Sequence, residues 1–319
     1  MLNITEEQIQ NARKVLGHLK TPLVYLCDTK TAQGNSIFLK AENLHCSGSF
    51  KLRGATYALS QLSKEQKEKG VIAYSTGNHA QAVALAARNL GIKATIVMSS
   101  VAPQFKIDAT KSYGAHVIMT EPFDMKDMAK KLAEEHGYFF MPPFDHPYAI
   151  IGQATIGLEI IEECVPAAVF VAIGGGGLIS GIALAIKKKY PSVKIIGVEP
   201  ELEDDVYRSF KAKKRISMEK PSNSIADAIK ISIVGELTFP IILKYVDDIV
   251  TVNEKQIAEA TVMHAEKAHL VVEPAGALPL AAALSYKSPL DATKPVVCIA
   301  SGGNTTVSFL QHLKSQYGI

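Results

Sequence analysis

Apolar residues fall along the chain in two alternating rhythms. Short, nearly unbroken apolar runs at 70–74, 93–98, 116–120 and 138–141 read as strands, and the stretches between them, 78–90, 103–113 and 125–137, repeat their apolar positions with helical period. The alternation continues with a helix at 152–163, a strand at 167–173, a helix at 178–189 and a strand at 194–198. Strands at 249–252 and 296–300 and a helix at 254–268 follow. Ahead of all these lie an amphipathic helix at 5–19, strands at 23–26 and 36–41, and a helix at 50–62. Strands separated by helices pair in parallel, so the pattern predicts an α/β fold with doubly wound parallel sheets. A lobe at 66–146 is expected inside a larger lobe made from 1–65 and 147–319. Ligands of open α/β sheets sit at the carboxyl ends of strands, which places the site in the cleft between the lobes.

The strand at 167–173 runs into four consecutive glycines, Gly174, Gly175, Gly176 and Gly177, and then into a helix opened by Leu178. Such a turn lets several backbone N–H groups and a fresh helix N-terminus converge on one phosphate or similar anion. Two commoner glycine loops are excluded. A Walker loop needs lysine and a hydroxyl residue after its second glycine, but Ile182 and Ala183 follow Gly181. A dinucleotide fingerprint needs a third glycine where this chain has Ile179 or Ser180. Far away, the segment Ser47-Gly48-Ser49-Phe50-Lys51-Leu52-Arg53-Gly54 sets one lysine among small and apolar neighbours. Desolvation there disfavours the ammonium and leaves Lys51 a nucleophilic amine. A phosphate cup together with a nucleophilic lysine suits pyridoxal phosphate.

Composition narrows the partners. The 319 residues are 47% apolar and 20% charged, with a net charge of +3, so the chain reads as a soluble globular protein and not as a binder of nucleic acid. The basic cluster Lys211, Lys213, Lys214 and Arg215 reads as a solvated loop. Cys27, Cys46, Cys164 and Cys298 form no Cys-x-x-Cys pair and suit neither zinc nor a disulfide framework. The acidic, amphipathic N-terminus lacks the layout of a signal peptide, and no apolar run is long enough to span a bilayer. The expectation is a cytoplasmic protein with no membrane partner.

Two further segments carry loop chemistry at strand ends. Ser75-Thr76-Gly77-Asn78-His79 follows one strand and opens a helix; it can hold a carboxylate, and Ser75 or Asn78 reads equally as an N-cap. Ser301-Gly302-Gly303-Asn304 follows the last strand, where the serine can meet a ring nitrogen. Taken in order with Phe50-Lys51-Leu52-Arg53-Gly54, the four glycines and Val272-Glu273-Pro274-Ala275-Gly276-Ala277, these segments resemble the fold-type II pyridoxal phosphate enzymes. Within that tryptophan synthase β-like group the chain is most similar to the branch of threonine/serine dehydratases and serine racemases, from Thr21 to Asn304.

The resemblance implies roles. Lys51 is then the Schiff-base lysine, Phe50 flanks the pyridine ring and Asn78 bonds its 3-oxygen. Gly174, Gly175, Gly176, Gly177 and Leu178 bind the phosphate, and Ser301 bonds the pyridine nitrogen. Ser75, Asn78 and His79 hold the substrate carboxylate. A serine at the ring nitrogen does not keep it protonated as a carboxylate would, so prompt loss of a β-substituent is favoured over a long-lived carbanion. The resemblance also implies a divalent site, Mg²⁺ or else Ca²⁺ or Mn²⁺, from Glu199, the carbonyl of Glu203 and Asp205, whose oxygen donors suit such ions. The alternative there is a solvated acidic loop.

Two positions depart from the family pattern. Thr76 stands where racemases of the branch have a serine hydroxyl opposite the lysine and many dehydratases alanine, so the resemblance leaves it either a second catalytic proton carrier or a packing residue; Ala228 stands where relatives usually have glycine. The leading expectation is an ammonia-lyase acting on L-threonine, L-serine or a related β-hydroxy amino acid. Serine racemase with side elimination is the alternative. A non-catalytic cofactor-binding protein is the third, opposed by Lys51. A homodimer is expected, and no C-terminal feedback domain.

Overall fold

The computed structural model describes residues 2–219 and 222–319. Its strands are β1 Leu23–Lys30, β2 Ser36–Lys40, β3 Val71–Tyr74, β4 Ala94–Ser99, β5 His116–Thr120, β6 Phe139–Phe140, β7 Ala168–Ala172, β8 Lys194–Pro200, β9 Asp248–Val252 and β10 Val296–Ile299. Its α-helices are α1 Glu6–Val15, α2 Lys51–Ser60, α3 Lys64–Lys69, α4 Asn78–Asn89, α5 Gln104–Ser112, α6 Met125–His136 and α7 Pro147–Glu163. Then come α8 Gly177–Lys189, α9 Asp205–Ala212, α10 Thr238–Tyr245, α11 Glu254–Lys267, α12 Pro274–Ser285 and α13 Val307–Tyr317.

Two sheets result. One has six strands in the order β1-β2-β10-β7-β8-β9, and the other has four in the order β5-β4-β3-β6. Among these described strands only the β1–β2 pair is antiparallel. The inner strands of both sheets are covered on both faces, as the side chains of β7 and β3 show, while β1 and β5 at the edges keep exposed positions. On β7, Ala168, Phe170 and Ala172 pack with α11 and α12, while Val169 and Val171 pack with α8 and α10. On β3, Val71 and Ala73 face α2 and α4, while Ile72 faces α6. A strand buried on both sides has no polar face to show, which is why β7 reads as one apolar run.

Helix boundaries shift where local chemistry overrides periodicity. The helix expected to begin at Gly152 begins at Pro147, because His146 caps it through Nδ1, which accepts from Tyr148 N at 3.2 Å, and proline suits the first turn. Periodicity missed α12 because it is apolar all round, with ten of its residues buried from Pro274 to Ala283. It also missed the short helices α3, α9 and α10, and α13. Helices α2, α7 and α8 approach closely through glycine. A Cβ added at Gly152 would lie 2.7 Å from Gly54 Cα, and one at Gly181 would lie 2.6 Å from Ile150 O.

Candidate active site

Three strand ends open on one place. β3 ends in the Ser75–His79 loop, β7 in the glycine turn, and β10 in the segment that starts at Ser301. A cavity of about 190 Å³ is lined by Lys51, Ser75, Thr76, Asn78, His79, Phe144, Gly175 and Ala228, among others. A smaller one of about 50 Å³ shares Lys51, Asn78, Phe144, Gly175, Ala228 and Ile229 with it and adds Phe50, Gly174, Gly176, Gly177, Leu178, Glu273 and Ser301. All the residues expected at the lysine, phosphate, ring and carboxylate positions therefore line one continuous space.

Lys51 is the first residue of α2, and its Nζ donates to the carbonyl of Pro143 at 2.5 Å. Burial lowers its pKa to about 8, so about a tenth is free amine at pH 7, far more than for an exposed lysine. His79 is buried and its Nε2 lies 2.9 Å from Met141 O. Burial first, then the charge of Lys51, push it down to about 3, so the imidazole is neutral.

Neither Ser75 nor Asn78 is an N-cap. Gly77 takes that position, no side chain caps α4, and Asn78 is its first helical residue. Ser75 Oγ instead accepts from Gly77 N at 3.1 Å. The first-turn N–H groups of α4 are left for an anion in the Lys51 cavity. The glycine turn is built alike. Gly176 has φ +84 and caps α8 without a side chain. A Cβ at Gly174 would lie 2.8 Å from Ile229 O, and one at Gly175 would fall within the Phe144 ring. Thr238 Oγ1 donates to Gly175 O at 2.7 Å and fixes the turn, while Asp145 takes the first N–H groups of α10.

Sequence reasoning missed several neighbours. Lys106 on α5 pairs with Asp227 at 2.8 Å at the cavity mouth. Glu273 lies within the ring cavity, in a motif whose residues signalled the family but not this contact. Phe144 and Thr238 carry no local sequence signal; only folding brings them to the glycines.

Glu199, Glu203 and Asp205 are all buried. Glu199 accepts from Val206 N at 3.2 Å and Tyr207 N at 2.6 Å, which sets it at the N-terminus of α9. Both carboxyl oxygens of Asp205 and Oε2 of Glu203 lack partners among the described residues. Burial pushes Glu199 well above the usual carboxylate range. Burial and then the charge of Glu203 push Asp205 up to about 7. Buried carboxyls without donors are what a cation would satisfy. Among the described residues no three His, Cys, Asp or Glu side chains converge as a ready ligand set. The expected set asks for only two side chains and one carbonyl.

The family model for pyridoxal-phosphate-dependent enzymes matches residues 15–302, and the chain belongs to that family. Serine racemase of Schizosaccharomyces pombe is 41% identical over 300 residues, covering 93% of this chain and 92% of that protein. L-threo-3-hydroxyaspartate ammonia-lyase of Saccharomyces cerevisiae is 44% identical over 288 residues, covering 89% and 88%. The solved structure of a T.th. threonine deaminase superposes with a TM-score of 0.89 at 38% identity, covering 95% of this chain and 99% of that one. The glycine cradle that a Cβ would fill, the amine of Lys51 and the hydroxyl of Ser301 fit the cofactor of that family.

Proposed function

We propose that this protein is a pyridoxal-phosphate-dependent ammonia-lyase that converts a β-hydroxy amino acid such as L-serine or L-threonine to a 2-keto acid and ammonia. The observation that carries the reading is the juxtaposition in one cavity of a lowered-pKa lysine, an uncapped helix N-terminus and the glycine cup. The bound cofactor supplies a sink for the electron pair left at the α-carbon. Gly174, Gly175, Gly176, Gly177 and Leu178 hold its phosphate by backbone N–H groups, and Phe50, Asn78 and Ser301 hold its ring. Lys51 would hold the cofactor through Nζ and, as a free amine, would take the α-proton at that nitrogen. Ser75, Asn78 and His79 grip the substrate carboxylate at the start of α4. Neutral His79 spends its one ring N–H on the Met141 carbonyl, so it meets the carboxylate through its backbone N–H in the first turn of α4 and does not compete for the proton. The β-hydroxyl leaves as water, taking up one proton for the one that Lys51 removed, and hydrolysis of the released enamine gives the 2-keto acid and ammonia.

A serine racemase reading stands second, because Thr76 is exposed to the same cavity and carries a hydroxyl. The relatives include enzymes named for each activity. Incubation with L-serine and with L-threonine, assaying keto acid and D-serine together, separates the two. Keto acid as the main product supports the lyase; faster D-serine formation overturns it.

We assign Mg²⁺, or Ca²⁺ or Mn²⁺, to Glu199, the Glu203 carbonyl and Asp205, a reading supported by the unpartnered oxygens there. Residues 66–146 are taken as a lobe, which the span of the four-stranded sheet supports. The chain is also taken to be a cytoplasmic homodimer. No helix among the described residues is long and apolar enough to cross a membrane.

A further inference from the structure

Glu273 precedes α12 as its N-cap residue, yet its side chain caps nothing. It is 2% exposed. One oxygen, Oε1, accepts from Asn78 Nδ2 at 2.5 Å; the other, Oε2, has no partner among the described residues. Asn78 Oδ1 in turn accepts from Asn304 Nδ2 at 2.7 Å, and that same nitrogen donates to Ser47 O at 2.9 Å. The amide of Asn78 therefore has one workable orientation: flipped, it would set amide against amide and oxygen against carboxyl. One Asn78 N–H remains uncommitted, and it belongs to the residue read above as the partner of the ring's 3-oxygen.

We propose that Glu273 is a positioning residue for the cofactor ring: through Asn78 it fixes which amide hydrogen is offered to the 3-oxygen, and its own protonation sets how strongly that hydrogen is offered. As the anion, Glu273 draws on one N–H and loads electron density onto the amide, so the second N–H donates less well. As the neutral acid it leaves that donor stronger. The groups facing it are Asn78 from α4, Lys106 from α5, Asp227 from the turn at Asp227–Ile229, Lys51 from α2, and Ser301 and Asn304 after β10. Burial, then the charge of Asp227, push Glu273 up to about 7, against the pull of Lys106 and Asn78. The carboxyl thus changes state within the working range of pH.

The inference rests on the reading of Lys51 and Asn78 as cofactor residues, so the test reports on both. Wild-type protein is loaded with pyridoxal phosphate and its long-wavelength absorption band is followed against pH. The expected result is a change of band with a midpoint near 7, absent in Glu273→Gln, which keeps an acceptor for Asn78 but cannot ionise. Asp227→Asn, at a half-exposed position, removes the charge that raises Glu273 and frees Lys106, so its midpoint should fall. It serves equally if the glutamine variant does not fold. Glu273→Ala should raise the dissociation constant for pyridoxal phosphate about tenfold, the cost of one charge-assisted hydrogen bond. A normal band with the same pH profile in wild type, Glu273→Gln and Asp227→Asn overturns the inference and leaves the Lys51 reading standing. Failure of borohydride to fix the cofactor on Lys51 of the wild type sinks both.

Discussion

Arg53 and Glu159 meet through two hydrogen bonds, Nη1 to Oε1 at 2.7 Å and Nη2 to Oε2 at 2.8 Å, with both side chains wholly buried. Glu42 grips the other edge of the same guanidinium at 2.7 and 2.8 Å, and Lys40 adds a second cation to Glu159 at 2.6 Å. Burial alone would raise both carboxyls, but Arg53, with His45 beside Glu42 and Lys40 beside Glu159, outweighs it and holds both below the usual range. The contribution of a depressed carboxyl is present above its ordinary pKa and lost as pH falls through the lowered one. Arg53→Met should cost about 3–5 kcal/mol at neutral pH, because two buried carboxylates lose the cation they share, leaving Glu159 with Lys40 and Glu42 with His45. The gap to wild type should narrow below about pH 4. Thermal unfolding from pH 7 to pH 3 checks this, and a gap that does not depend on pH would count against the ion network as its source.

Lys51→Ala should abolish turnover, because both the cofactor anchor and the general base are removed. Lys51→Arg should be no better, since a guanidinium does not shed its proton. Borohydride treatment of the loaded wild type, followed by peptide mapping, should put the pyridoxyl group on Lys51. Label on any other lysine would refute the assignment.

Mg²⁺ or Ca²⁺ should raise the melting temperature of the wild type, since an ion bound only by the folded state stabilises it by mass action. The rise should be larger at pH 8 than at pH 5, because Asp205, pushed up to about 7, must give up its proton to bind a cation. Asp205→Ala should lose the effect and keep the cofactor. Melting curves that ignore both chelator and metal would leave the cluster as buried carboxylic acids.

Thr76→Ala separates the two activities. Racemisation needs a second proton donor besides Lys51; elimination needs Lys51 alone. If Thr76 supplies that donor, the variant should stop making D-serine and keep keto-acid formation from L-serine within about a factor of three, since only a surface methyl and hydroxyl are removed. Equal loss of both activities would show a packing role instead.

The strand–helix alternation was legible from the small sheet onward because each strand and each amphipathic helix carries its own period. The site loops were legible because Gly174 to Gly177, Lys51 and Ser301 are local in sequence. What escaped was contact between distant segments. Nothing around Glu273 tells that it will face Asn78, and nothing around Phe144 tells that its ring will lie against Gly175. Helix α12 escaped for a different reason: a helix surrounded by core has no polar side from which a period could be read.

Helix α2, which carries Lys51, packs against α4 on one side and α7 on the other. On the α7 side Gly54 and Gly152 bring backbone against backbone, with no side chain between them to act as a bearing. Helix α2 also covers one face of the four-stranded sheet, so Lys51 stands on the seam where the coverings of the two sheets meet. A bulkier residue at Gly54 or Gly152 would wedge α2 away from α7 and carry the amine away from the glycine cup.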